Sequence, residues 1–365
     1  MTEDRRNPAA IPGPAAAAVA GIAERLGPGV LFPLSYAVPR SLIVEAVPEK
    51  TRLLAGAAGR ADPARAGAQG AYRFGPGEQD AYYRHYQESW FAETCRKGGW
   101  DCLRHLEIMM NGTIPIFAGL EDCPEWTLAS YPRELLLQIR ERHAPVLAGG
   151  SASVDDLDAG SLRRDAEDLL EFTRRHLHTE AMARYFLACM GAAGARSVLF
   201  LTRVKKPDYL CEMLLHGLRS VLGEGLVDVA RRWWLYESAA PEAVGRLYGN
   251  GFTYTRHLED RAIDRDRIAS RIRAREFDLV IMANIERGTP FLKLVRQHYP
   301  RERVAIVDGG DYELFPGQPA RPATRRPWRD TIAVPDGALA GAGVIFKREI
   351  SEATLRAFEA RRSGG

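Results

Sequence analysis

"SVLFLTRVKKPDYLCEMLLHGLRSVLG", residues 197–223, opens with an unbroken apolar run, Ser197 to Thr202, and closes with a helical pattern stopped by Gly223. A short apolar run without polar alternation marks a strand buried on both faces, and a glycine just past the last apolar repeat ends a helix. The same order returns in "FDLVIMANI" followed by "TPFLKLVRQHYP". "RVAIVDGGD" is a third strand, ending in a glycine turn flanked by Asp308 and Asp311, and "GVIFKREI" reads as the last one. Strands alternating with helices predict an α/β protein with a parallel sheet covered on both faces. In such sheets ligands sit beyond the carboxyl ends of the strands.

The first half repeats this logic in a different dress. "GGWDCLRHLEIMMNGTIPIFAG", residues 98–119, predicts a helix from Asp101 to Met110, a stop at Gly112 and a strand from Ile114 to Phe117. A tyrosine-rich helix and a strand from Trp90 to Thr94 precede it, and "GVLFPLSYAVP", Gly29 to Pro39, reads as a buried strand ending in a proline-marked loop. Thr127 to Arg142 predicts a helix, residues 55–77 and 319–330 read as loops, and 144–160 is linker-like. The expected division is a tail over 1–28, an α/β domain over 29–160, a bridging helix over 161–192, a second α/β domain over 193–350 and a tail over 351–365.

Bulk properties narrow the function classes. A chain of 365 residues, 46% hydrophobic and 27% charged, has the ordinary globular balance of a two-domain protein. A net charge of +3 is too weak a bias for a dedicated nucleic-acid binder and better suits small anionic ligands. The five cysteines are odd in number and lack CxxC pairing, which argues against a disulfide framework and a zinc site and favours a cytoplasmic setting. No apolar run approaches the roughly 20 residues needed to span a bilayer, so any membrane contact is expected to be peripheral.

The segment Arg104-His105-Leu106-Glu107, followed after four residues by Gly112 and "IPIF", resembles the nucleotide-sugar segment of GT-B glycosyltransferases, especially the exostosin-like branch. A wider likeness to bacterial glycosyltransferase-like proteins runs through "CPEWTLASYPRELL", "HTEAMARYFL", "GNGFTYTRHL" and "VDGGDYE". The resemblance implies two Rossmann-like domains facing a central cleft, and transfer of a sugar from a nucleotide-diphosphate donor to an acceptor with no metal and no further cofactor. It implies that Glu107 hydrogen-bonds the donor ribose, that Arg104 or Lys97 meets the pyrophosphate, and that Gly112 belongs to the donor segment. A carboxylate accepts two hydroxyl protons, and a basic side chain near a helix N-terminus offsets phosphate charge.

In that family the donor domain usually comes second, whereas here its motif lies in the first 120 residues. A circularly permuted order accounts for this and predicts that "GVIFKREI" pairs beside "VLFPLSYAVP". Glu107 and the Asp308 to Asp311 turn would then form opposite walls of one pocket, with Asp308 or Asp311 as the base that deprotonates the acceptor.

Each residue also has a plainer reading. Arg104 and Glu107, one turn apart, would make a helix-surface ion pair; Asp101 would be an N-cap; and Asp308 would bond its own turn. His105 and His216 would be packed histidines, Tyr82, Tyr83, Tyr86 and Trp90 core aromatics, and Arg325, Arg326 and Arg329 solvated charges. A non-catalytic binding protein of the same architecture is the alternative function. A Rossmann oxidoreductase is disfavoured because no strand runs into G-x-G-x-x-G.

Overall fold

The structure is a computed structural model and describes residues 13–55, 73–148, 158–203, 206–283, 290–311 and 343–363. Its strands, numbered along the chain, are β1 Leu31–Pro33, β2 Arg52–Ala55, β3 Ser89–Cys95, β4 Ile114–Ala118, β5 Val198–Leu201, β6 Leu226–Val229, β7 Leu279–Ala283, β8 Val304–Asp308 and β9 Val344–Lys347. They form a six-stranded sheet in the order β1-β9-β8-β7-β5-β6 and a three-stranded sheet in the order β2-β3-β4. Every pairing is parallel. The strand order reverses between β5 and β7, the topological switch point of a doubly wound α/β sheet.

The helices are α1 Ala16–Leu26, α2 Gln79–Gln87, α3 Leu103–Met110, α4 Arg133–Arg142, α5 Ala144–Ala148, α6 Ala159–His176, α7 Thr179–Cys189, α8 Tyr209–Leu222, α9 Pro241–Val244, α10 Ile268–Arg273, α11 Leu292–His298 and α12 Glu352–Ser363. Helix α8, the crossover between β5 and β6, starts where the Asp208 side chain accepts the Cys211 N–H at 3.2 Å and stops at Gly223, whose φ of 56° suits glycine. On α8, Gly217 lets α7 approach so closely that a Cβ there would lie 1.9 Å from the Thr179 carbonyl oxygen.

One apolar core lies under a single face of the six-stranded sheet and continues without a break into the three-stranded sheet, joining Phe200, Phe346 and Phe186 to Met109, Phe91 and Phe117. A second core covers the opposite face with Ile22 of α1, Ile272 of α10, Val295 of α11 and Leu355 of α12. The two halves therefore share buried apolar surface, the main favourable term in folding.

Several expectations from sequence are corrected. The expected bridging helix is two helices, because Val38 takes the Thr179 N–H and gives its own N–H to Leu177, drawing both backbones out of the helical ladder between α6 and α7. The expected tails contain α1 and α12, which pack on each other through Arg25 with Glu352 and, at 3.0 Å, Glu359. The helix expected from Thr127 begins at Arg133, after Pro132. Strand β1 joins the larger sheet, where Leu31 pairs with Ile345, as the permuted order predicted. Strands β2 and β6 were not anticipated. The basic 319–330 segment, with Arg325, Arg326 and Arg329, and most of the 55–77 loop lie outside the described residues.

Candidate functional site

The chemistry-bearing residues gather at two points on the seam between the halves. At the first, α3 carries Glu107 inward until 7% of it is exposed. Each of its carboxylate oxygens accepts a hydroxyl proton, Oε2 from Tyr82 of α2 at 2.6 Å and Oε1 from Thr253, which belongs to the other half of the chain. Thr253 also meets the Tyr83 hydroxyl at 2.7 Å and gives its N–H to Gln79 at 2.7 Å. Burial raises the Glu107 carboxyl above its ordinary range, partly offset by those two hydroxyls and by Arg104. Tyr82 is raised well above the usual phenol value by burial first and then by Glu107.

Arg104, half-buried in the first turn of α3, and the exposed Lys97 form no ion pair among the described residues. The helix-surface pair of Arg104 with Glu107 is thus not made. Partial desolvation and then the Arg104 guanidinium hold Lys97 below its ordinary value, so two cations act on each other without a direct ion pair among the described residues. Gly112 has φ 67°, and a Cβ there would lie 2.9 Å from Pro48 Cδ, so it serves both the turn and the packing of the loop before β2.

The second point lies at the carboxyl ends of β8, β9 and β1. Asp308 is buried, with Oδ2 taking Lys347 Nζ at 2.7 Å and Oδ1 taking the Gly310 N–H at 3.0 Å, so the turn-bonding reading holds for it. Asp311 pairs with Arg348 and keeps 41% of its side chain exposed. Arg348 is fully enclosed: it bonds Glu349 at 2.9 Å, the Gly309 carbonyl at 3.1 Å and the Asp101 carbonyl, and its guanidinium lies 5.0 Å over the Tyr36 ring. Glu349 accepts the N–H groups of Trp100 and Asp101, both at 3.0 Å. A Cβ on Gly99 would collide with the buried Glu349 carboxylate, and one on Gly98 would displace the Asp311 side chain.

Asp101 is not the N-cap of α3; Cys102 holds that position, and the Asp101 carboxylate accepts the Tyr36 N–H at 2.7 Å. Its pKa is raised to about 7 by burial, against the pull of Arg348. His105 is a packed histidine between Thr94 Oγ1 at 2.8 Å and the Trp100 carbonyl at 2.9 Å, lowered to about 3 by burial. His216 contacts Thr179 Oγ1 at 2.8 Å. Tyr82, Tyr83, Tyr86 and Trp90 are buried core aromatics.

The backbone at Gly98 lies against the Asp311 side chain, whereas Glu107 meets the other half at Thr253 through a separate set of contacts. Arg348, Glu349, Tyr82 and Thr253 were not singled out in these roles from sequence. The signal for the first two was available: the consecutive charges Lys347, Arg348 and Glu349 follow directly on the apolar run Val344, Ile345 and Phe346, where solvent cannot reach all three.

Among the described residues no group of three or more His, Cys, Asp and Glu side chains is placed to hold a metal ion, and no helix is long and apolar enough to cross a membrane. The five cysteines form no disulfide. The fold and these contacts define an α/β protein with two parallel sheets and a polar seam between them. Compared with known proteins, the chain finds no match among family models, curated proteins or solved structures.

Proposed function

We propose that this protein is a glycosyltransferase of the GT-B type, moving a sugar from a nucleotide-diphosphate donor to an acceptor hydroxyl. The observation that carries the reading is Glu107, a buried carboxylate whose two oxygens each take one hydroxyl proton. A ribose presents two adjacent hydroxyls of the same kind, and Lys97 and Arg104, in no ion pair among the described residues, suit the two phosphates. Donor binding exchanges the Thr253 hydroxyl for one from the ribose, so the 248–256 turn moves away from α3 as the donor enters. Residues 29–160 would supply most of the donor side and 193–350 the acceptor side of a cleft along the seam. The β1 pairing with β9 supports the permuted chain order. Asp311, the exposed carboxylate of its turn, is the candidate base, and the leaving diphosphate is stabilised by cations and helix N-termini without a metal.

Calorimetric titration of uridine, guanosine, adenosine and cytidine diphosphates tests the donor site. One of them binds, and Glu107→Gln weakens it by about 10- to 100-fold, the value of one charge-assisted hydrogen bond. Absence of binding by every diphosphate, or equal binding by a folded Glu107→Gln variant, refutes the assignment. The engagement of both Asp308 oxygens by Lys347 and Gly310 favours a second reading, a donor-binding protein without catalysis. Slow hydrolysis of the sugar nucleotide without acceptor separates the two, since a transferase performs it and a pure binder does not.

A further inference from the structure

Lys50 lies in the loop entering β2 and is 8% exposed. Among the described residues no carboxylate lies within ion-pair distance of its Nζ, whose hydrogen bond goes to the Thr113 hydroxyl at 3.3 Å. That hydroxyl spends its own proton on the carbonyls of Tyr86, at 2.6 Å, and Ser89, at 3.2 Å, leaving a lone pair for the lysine. The charged group that acts on Lys50 is another cation, Arg163 of α6, which reaches the Val47 carbonyl at 3.4 Å. The Arg163 guanidinium lies 5.9 Å over the Trp90 ring, and the Trp90 Nε1 proton is buried with no acceptor. An amine, a guanidinium and an N–H without an acceptor therefore share one neighbourhood in which, among the described residues, no carboxylate lies within ion-pair distance of either cation. Burial first, then Arg163, lowers the Lys50 amine to about 7.

We propose that Lys50 is a carbamate-forming lysine whose amine takes up carbon dioxide. The nitrogen lone pair attacks the carbon of carbon dioxide, a nitrogen–carbon bond forms, one carbon–oxygen π pair becomes an oxygen lone pair, and the nitrogen releases a proton to solvent. No electrons are exchanged with another reagent. The step inverts the charge at the site: the ammonium that Arg163 repels becomes an anion that Arg163 attracts, while the carbamate N–H retains the Thr113 lone pair as its acceptor. An aldehyde would leave a neutral or cationic imine beside the same guanidinium, which the surroundings oppose. Lys50 precedes β2, Thr113 precedes β4 and Ser89 opens β3, so the site lies at the amino ends of the small sheet, opposite Lys97 and Asp101. It stands independently of the proposed donor site.

The test uses the full chain in carbon-13 bicarbonate, with carbamate read by carbon NMR and fixed by trialkyloxonium alkylation before peptide mass analysis. The label falls on the Lys50 peptide and, at fixed sub-saturating dissolved carbon dioxide, drops more than about ten-fold from pH 8 to pH 6 as the amine protonates. Lys50→Met, checked for folding by thermal unfolding, loses it, and Arg163→Gln, which keeps the amine, reduces it several-fold. An unlabelled Lys50 peptide, or a label undiminished in Arg163→Gln, overturns the proposal. So does binding of inorganic phosphate that is lost in Lys50→Met without any label, which would make this a non-covalent anion site.

Discussion

Asp101, just ahead of α3, and His105, in its first turn, both lie at the seam, and burial shifts both away from charge in opposite senses of pH. His105 is lowered to about 3 from its ordinary 6.5, so the stability it contributes is complete above 6.5 and is lost as pH falls towards 3. Asp101 is raised to about 7 from 3.8, so its contribution is complete below 3.8 and is lost as pH rises towards 7. Between about pH 4 and 6.5 the two slopes oppose each other, each worth at most about 1.4 kcal/mol per unit. Relative to wild type, Asp101→Asn is therefore expected to gain stability as pH rises through this window, and His105→Gln as pH falls. Urea unfolding across a pH series measures both, and constant offsets from wild type would refute the opposition. From sequence, His105 could be assigned as packed because it lies between apolar helix positions. The opposite shift of Asp101 could not, because its partners Tyr36 and Arg348 are 65 and 247 residues away in the chain.

Among the elements, α7 and α8 show what a single atom controls. A Cβ at Gly217 meets the Thr179 carbonyl oxygen, a backbone atom that cannot swing aside, so Gly217→Ala should cost about 1–3 kcal/mol in urea denaturation through overpacking. A shift below a few tenths of that would mean that the helices separate freely. The strands legible in sequence, β1, β3, β4, β5, β7, β8 and β9, each contain a short apolar run. In the missed ones that run is interrupted or half-exposed. Strand β6 carries the charged Asp228 within four residues, buried because Arg219 and Arg265 satisfy it at 2.8 and 2.6 Å. Strand β2 has half-exposed edge positions, Leu54 being 41% exposed, and runs into an Ala- and Gly-rich stretch. The break between α6 and α7 was equally hidden, since it depends on Val38, about 140 residues earlier.

For the whole molecule, Arg348 ties three strand ends and the 98–102 loop into one buried ionic group, so the two sheets are expected to unfold together. Arg348→Met strands Asp311 and weakens the hold on Glu349, at a cost of about 3–5 kcal/mol. Circular dichroism and tryptophan fluorescence should still give coincident transitions in urea for wild type. Two separated transitions in wild type would show that the shared core does not couple the halves. The candidate site was legible as far as residue types and the strand-end turn. Its partition into two points was not, because it depends on which side chains of the second half reach α3 and which reach Gly98.

The larger sheet pairs its edge strand β1 with β9, the strand of that sheet that lies farthest from it along the sequence. Leu31 pairs with Ile345, and β1, at the edge of the sheet, has no second neighbour among the described strands. At about 5–20 residues per second, a ribosome delivers β9 roughly 15–60 s after β1. Through that interval β1 lacks the strand it pairs with, while β5 to β8 emerge and can assemble ahead of it. Birth order and assembly order are thus inverted for β1: it is translated before β5 to β8, yet it is seated only after them, once β9 has emerged.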